Sequence, residues 1–188
     1  VRITGSFLIL VMVILPIVQA QVLPITLKDM VEHASTIVTG RVIEVREGSH
    51  PKYPNVNVTF IKVEVEEMLK GQPNHRSQHV FMQFGGLGAT RLHELPTYDV
   101  GQEVTLFLYP ESQYGFTSPV GGEQGKFSLR ADPQTGQKVV TYGLGSTKLF
   151  EGIGVEKFSS AERQVLQGRS RASDYHVFAS IVRKLVKD

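Results

Sequence analysis

The stretch VNVTFIKVEVEEML, residues 56–69, decides the fold class. It is β-branched, and its apolar residues recur every second position rather than every third or fourth, as in a long strand. Ile61, Val63 and Val65 fall on one face, with Val58 and Phe60 on the other, so the inward face is expected to switch at a bulge. A strand of this length predicts a mainly β protein, with LKG (69–71) marking its end.

Working outward, the neighbours are also extended. TIVTGRVIEV (36–45) is β-branched, and its Gly40 predicts a bulge or a close backbone approach. EGSHPKYPN (47–55) carries two prolines and reads as a loop. HVFMQF (79–84) and EVTLFLY (103–109) are short strands, the second entered through a turn at Gly101. KFSLR and KVVTY flank ADPQTGQ, a hairpin whose type I turn begins at Asp132-Pro133. Val104, Leu106 and Leu108 are expected in the core.

Helical signals bracket this β unit. Thr26 with Asp29 forms a capping-box variant ahead of a stripe of Leu27, Met30, Val31 and Ala34. Ser159 with Glu162 is a second capping box, and Asp174 can cap a last helix. That helix carries its apolar stripe on Phe178, Ile181, Val182, Leu185 and Val186, with Arg183, Lys184 and Lys187 near its C-terminus, where cations are favoured. GRSRAS (168–173) reads as a linker.

The first twenty residues read as an export signal. Arg2 precedes an apolar run over 7–15, Pro16 breaks it, and Val18-Gln19-Ala20 suits a cut between Ala20 and Gln21. The expected organisation is a signal peptide at 1–20, a β domain at 21–156 and an amphipathic helical tail at 157–188. The mature protein is expected to be secreted or periplasmic, with no later membrane span.

Composition narrows the chemistry. The 188 residues include no Cys, which removes thiol catalysis and Cys-ligated zinc or iron–sulfur sites. Residues 157–188 carry seven basic and three acidic side chains, whereas 21–156 carry 12 basic and 15 acidic ones. A body with net negative charge disfavours a nucleic-acid partner.

The motifs that could carry catalysis or metal binding do not assemble. VGGEQGKF (120–127) imitates a phosphate-binding loop, but Phe127 follows Lys126 where Ser or Thr belongs, and a strand follows where a helix belongs. His75 and His79 have the spacing of a helical zinc pair but lead into a strand. HELP (93–96) lacks the second His of a metalloprotease helix, and GRSRA (168–172) lacks the strand of a nucleophile elbow. Glu66 and Glu67 are adjacent on a strand and are expected on opposite faces. Asn57-Val58-Thr59 is a glycosylation sequon, relevant only in a host that glycosylates. The reading is therefore a protein that is not an enzyme, with no cofactor and no metal site.

Candidate ligand contacts gather near the second and third strands: Lys52, Tyr53, Phe84 and Arg91, with the glycine-rich loops Gly85, Gly86, Gly88 and Gly121, Gly122, Gly125. Aromatic faces stack on sugars or bases, and Arg and Lys meet anionic groups. A saccharide or a protein is the expected partner. The competing expectation is that Phe84 belongs to the core and Tyr53 staples its loop.

The order of GRV, VEEMLKG, VGQEVTLFL and QGKF resembles a group of uncharacterised secreted bacterial proteins. Over residues 37–127 it is similar, more distantly, to the netrin-like modules that include the tissue inhibitors of metalloproteases. The resemblance implies an antiparallel OB-like barrel with a short N-terminal helix and a C-terminal helical tail. It also implies a binding or interaction module, or alternatively a protease inhibitor or protease-associated partner. Those inhibitors chelate zinc through a mature N-terminal Cys held by disulfides; Gln21 and a Cys-free chain depart from that pattern.

Overall fold

The computed structural model describes residues 23–86, 95–142, 148–168 and 170–188. Its centre is one seven-stranded sheet. The strands are β1 (Thr36–Ser49), β2 (Asn57–Lys70), β3 (Gln78–Phe84), β4 (Glu103–Leu108), β5 (Lys126–Ala131), β6 (Lys138–Thr141) and β7 (Ala172–Asp174). Their spatial order is β3-β2-β1-β4-β5-β6-β7, and every neighbouring pair is antiparallel.

The mainly β, antiparallel expectation holds, but the sheet is not closed into a barrel: β3 and β7 are its two edges. The chain after β4 approaches closure without completing it. Residues 109–119 hold Pro110, Pro119 and a turn in which the Gly115 amide donates to Ser112 O, and this strap makes only isolated bridges, Leu108 to Pro119 and Met82 to Phe116, the latter parallel. Elsewhere the edge of β3 is closed locally. The Asn74 side chain donates to Val80 O at 2.6 Å and accepts from Val80 N at 2.8 Å, so those two backbone groups are unavailable to another strand.

The central strands are buried on both faces. In β4, Val104, Leu106 and Leu108 enter one apolar cluster with Val38, Val42, Ile61, Val63 and Phe81, while Phe107 between them enters another. This is why EVTLFL is apolar almost throughout rather than alternating. The second cluster lies under the helices α1 (Leu27–His33), α2 (Ser160–Leu166) and α3 (Tyr175–Val186), where Phe107, Phe127, Tyr142 and Phe178 stack ring against ring.

All three helix starts follow their sequence signals. Thr26 and Ser159 form reciprocal capping boxes with Asp29 and Glu162, and Asp174 accepts from Val177 N. The C-terminal segment is part of the same folded unit as the sheet. Ala172–Asp174 pairs with β6, and Phe178, Ala179, Ile181 and Val182 are fully buried among residues of α1 and β4 to β6.

Bulges curl the long hairpin. Register shifts occur between Ile37 and Val38, Thr39 and Gly40, and Val42 and Glu44, leaving Leu69, Glu66 and Ile43 as the extra residues. The expected close approach at Gly40 is present: a Cβ there would sit 2.0 Å from Glu64 O. The bulge at Glu66 also overturns strict alternation. Glu66 reaches Lys138 at 2.5 Å, while Glu67 accepts from Tyr175 and Arg183, so both carboxylates serve the side covered by α3.

Candidate functional site

Three separate segments bring a cluster of rings to one end of the β1–β2 hairpin. The loop at 50–56 is closed by hydrogen bonds from His50 N to Val56 O (2.8 Å) and from Val56 N to Tyr53 O (2.9 Å). The His50 ring organises it. Its Nδ1 accepts from Lys52 N (3.0 Å) and Tyr53 N (3.2 Å), and its Nε2 lies 2.7 Å from Tyr114 O. Two donors on Nδ1 leave Nε2 as the nitrogen that donates to Tyr114 O, which joins the loop to the strap.

The strap supplies the other half. Thr117 N donates to Met82 O at 3.0 Å, which sets Phe116 beside the end of β3. The rings then run in sequence: Phe84 lies 5.6 Å from Phe116, Phe116 5.2 Å from His50, His50 5.0 Å from Tyr53, and Tyr53 5.8 Å from Tyr114. These separations are those of interacting aromatic pairs. His50 is buried, but Tyr53, Phe84 and Tyr114 are 46%, 50% and 48% exposed. Several large rings exposed side by side are a more informative feature than any single surface apolar residue.

Of the expected contacts, Tyr53 and Phe84 belong to this cluster, and Phe84 is not core. Tyr53 is a loop staple and an exposed ring at once. Lys52 is exposed on the same loop, with no ion-pair partner among the described residues. Gly85 donates its amide to Asn57 O and accepts the Thr59 hydroxyl at 3.0 Å, and Gly86 beside it is buried. That buried bond ties down the sequon's threonine. Gly88 and Arg91 lie outside the described residues, as do His93 and Glu94 and the whole signal segment. His50, Tyr114 and Phe116 are members that sequence reading misses. The only local signal for Tyr114 and Phe116 is a loop rich in Pro, Gly and aromatics after β4, while His50 sits in the proline-bearing loop 47–55.

The second glycine-rich loop does a different job. Gly122–Gly125 is a 3₁₀ turn feeding β5, with Gly121 and Gly122 at φ of 68° and 64°. No helix N-terminus follows, as the sequence implies. Its side chains hold other segments in place. Gln124 donates to Leu23 O and accepts from Ile25 N, while the Lys126 ammonium donates to Thr97 O at 2.5 Å, pairs with Glu123 at 3.3 Å and lies 5.2 Å from the Tyr98 ring centre. Gly125 is dictated by contact, since a Cβ there would meet Val120 O at 2.3 Å.

The remaining candidates are structural. His79 is buried on β3, where burial holds its pKa below the ordinary histidine value and the ring neutral, whereas His75 is exposed and its backbone pairs with Gln78. Among the described residues no group of three or more His, Asp or Glu could hold a metal ion. The basic residues Arg183 and Lys184 of α3 are paired with carboxylates, Arg183 with Glu67 and Lys184 with Glu162.

No family model matches the chain, and no curated protein matches it.

Proposed function

We propose that the chain is an exported, non-catalytic binding module that engages a saccharide or a protein through Tyr53, Phe84, Phe116 and Tyr114. The observation that carries this reading is the assembly of half-exposed rings around the buried His50 from three separate segments. Rings fixed by mutual packing offer stacking faces at little cost in side-chain entropy. The body's excess of acidic residues argues against nucleic acid, and Arg183 and Lys184 of the basic tail are each paired with a carboxylate. Among the described residues no helix is long and apolar enough to cross a membrane.

We read the architecture as OB-like in descent, opened and extended by β5 to β7. The order β3-β2-β1-β4, with a following segment that bridges β4 antiparallel and β3 parallel, supports that reading. In such folds ligands use the second and third strands and the adjoining loops, and the ring cluster sits at that position.

Chemical-shift mapping with chitooligosaccharides, peptidoglycan fragments and a panel of secreted metalloproteases tests the function. Perturbations centred on 50–56, 84–86 and 112–116 are expected. Inhibition or complex formation with a protease, without a saccharide response, would favour the protease-associated role suggested by the netrin-like resemblance. Perturbations confined to 157–188 would contradict the site.

A further inference from the structure

Where α2 packs beside β7 and the start of α3, the chain leaves a cleft of about 270 Å³ that shares no residue with the ring cluster. Ala161, Gln164 and Val165 contribute from α2, because residues three and four apart share one face of a helix. Ala172 and Ser173 of β7 and Val177 of α3 also line it. Tyr142, buried just past the end of β6, adds its ring, and its hydroxyl donates to the Ser173 hydroxyl. Burial pushes the Tyr142 pKa up to about 12, against the opposing effect of that bond, so the hydroxyl is neutral at physiological pH.

Asp174 is the only charged residue of the lining. As the N-cap of α3 it commits one oxygen: Oδ1 accepts from Val177 N at 3.1 Å, and Oδ2 has no partner among the described residues. The start of a helix carries about half a positive charge, which the full negative charge of a carboxylate outweighs. Arg163 of α2 donates through Nε to Phe158 O at 2.7 Å, and neither it nor Arg171 belongs to the lining. The cleft therefore offers apolar surface, neutral hydroxyls and one negative charge.

We propose that this cleft binds a small primary amine, with its apolar body against Ala161, Val165 and Val177 and its ammonium group on the free oxygen of Asp174. The Ser173 oxygen keeps a second lone pair and is a further acceptor for the ammonium. Size agrees, since an apolar cavity of about 150 Å³ already holds benzene. An anion is disfavoured because it would meet Asp174 with no cation in the lining to offset the repulsion.

Benzylamine, benzyl alcohol and benzoate share one ring and differ in charge, so chemical-shift titration of the full chain with all three tests the site. Benzylamine is expected to shift the amides of Gln164, Ser173 and Val177 and to bind about 10-fold more tightly than benzyl alcohol, the gain of a charge-assisted hydrogen bond. Benzoate is expected to bind most weakly. Asp174→Asn keeps an equally good N-cap and removes the charge, so its affinity for benzylamine should fall to that for benzyl alcohol while the melting midpoint changes little. Ala161→Leu, at an exposed helical position that suits Leu, should fill the cleft and weaken both. No benzylamine shift at these amides, benzoate binding as tightly as benzylamine, or undiminished benzylamine affinity in folded Asp174→Asn would each overturn the proposal.

Discussion

The Tyr175 hydroxyl, at the first residue of α3, donates to Glu67 Oε2 of β2 at 2.7 Å, across 108 positions of sequence. Arg183, two turns further along the helix, reaches the other oxygen of the same carboxylate. Lys138 stands beside them, 5.9 Å from the Tyr175 ring centre and bonded to Glu66 and Glu103. Glu67 thus fixes the rotation of α3 on the sheet. Tyr175→Phe is expected to lower stability by about 1–2 kcal/mol, as for a hydrogen bond to a charged group with an exposed side. Urea unfolding measures it, and an unchanged midpoint would show that packing alone seats the helix.

Glu162 is nearly buried and ties α2 to α3. Burial by itself would raise its pKa, but the Lys184 ammonium (2.7 Å), the Ser180 hydroxyl (2.7 Å) and the bonds to Ser159 together lower it to about 2. A carboxylate whose pKa falls on folding stabilises the native state above its unfolded value, and that contribution disappears as the pH falls toward the folded one. Wild type should therefore lose stability between about pH 4.5 and pH 2 more steeply than Glu162→Gln. The difference at neutral pH is expected to be on the order of 2 kcal/mol, allowing for the solvent-exposed side of Lys184. Parallel pH series in urea check it; identical acid limbs would contradict it.

Gly40 permits the contact of β1 with β2. A Cβ would meet Glu64 O at 2.0 Å and Val63 Cγ1 at 2.9 Å, and the first of these is backbone that cannot turn aside. Gly40→Ala is expected to cost roughly 3 kcal/mol or more through forced backbone movement. Gly136→Ala, where the added Cβ meets nothing within 4 Å but φ is 70°, should cost only about 1 kcal/mol. Thermal melts of the pair test this ranking, and equal losses would show that the bulge is soft.

Features written in short-range sequence were legible. Three helix caps, the buried run of β4, the Asp132 turn and the special position of Gly40 all follow from local chemistry. What depends on distant pairing was not. β7 lies in a Ser- and Arg-rich stretch with no strand propensity and forms because β6 offers it a partner. Glu66 and Glu67 defy alternation because a bulge, invisible in their spacing, lies at Glu66. The open sheet departs from the expected barrel because prolines break the strap after β4, while β5 leads on to two further strands under the helices. Within the site, Tyr53 and Phe84 stand out as aromatics beside loops. Tyr114 and Phe116 join them through the Met82 bridge and the contact of His50 Nε2 with Tyr114 O, while His50 Nδ1 holds its own loop.

The central claim is that the exposed rings bind a partner, and one comparison tests it most directly. Tyr53→Ala, Phe84→Ala and Tyr114→Ala each remove a half-exposed ring while leaving His50 and the Met82 bridge in place. Each should leave the melting midpoint within a few degrees of wild type, since half-exposed side chains contribute less to folding than core ones. Isothermal titration with whichever chitooligosaccharide, peptidoglycan fragment or protease gives the largest wild-type signal should then show at least a 10-fold loss of affinity for each variant, the size expected of an interface anchor. Undiminished affinity in all three well-folded variants would contradict the assignment of this cluster as the binding site.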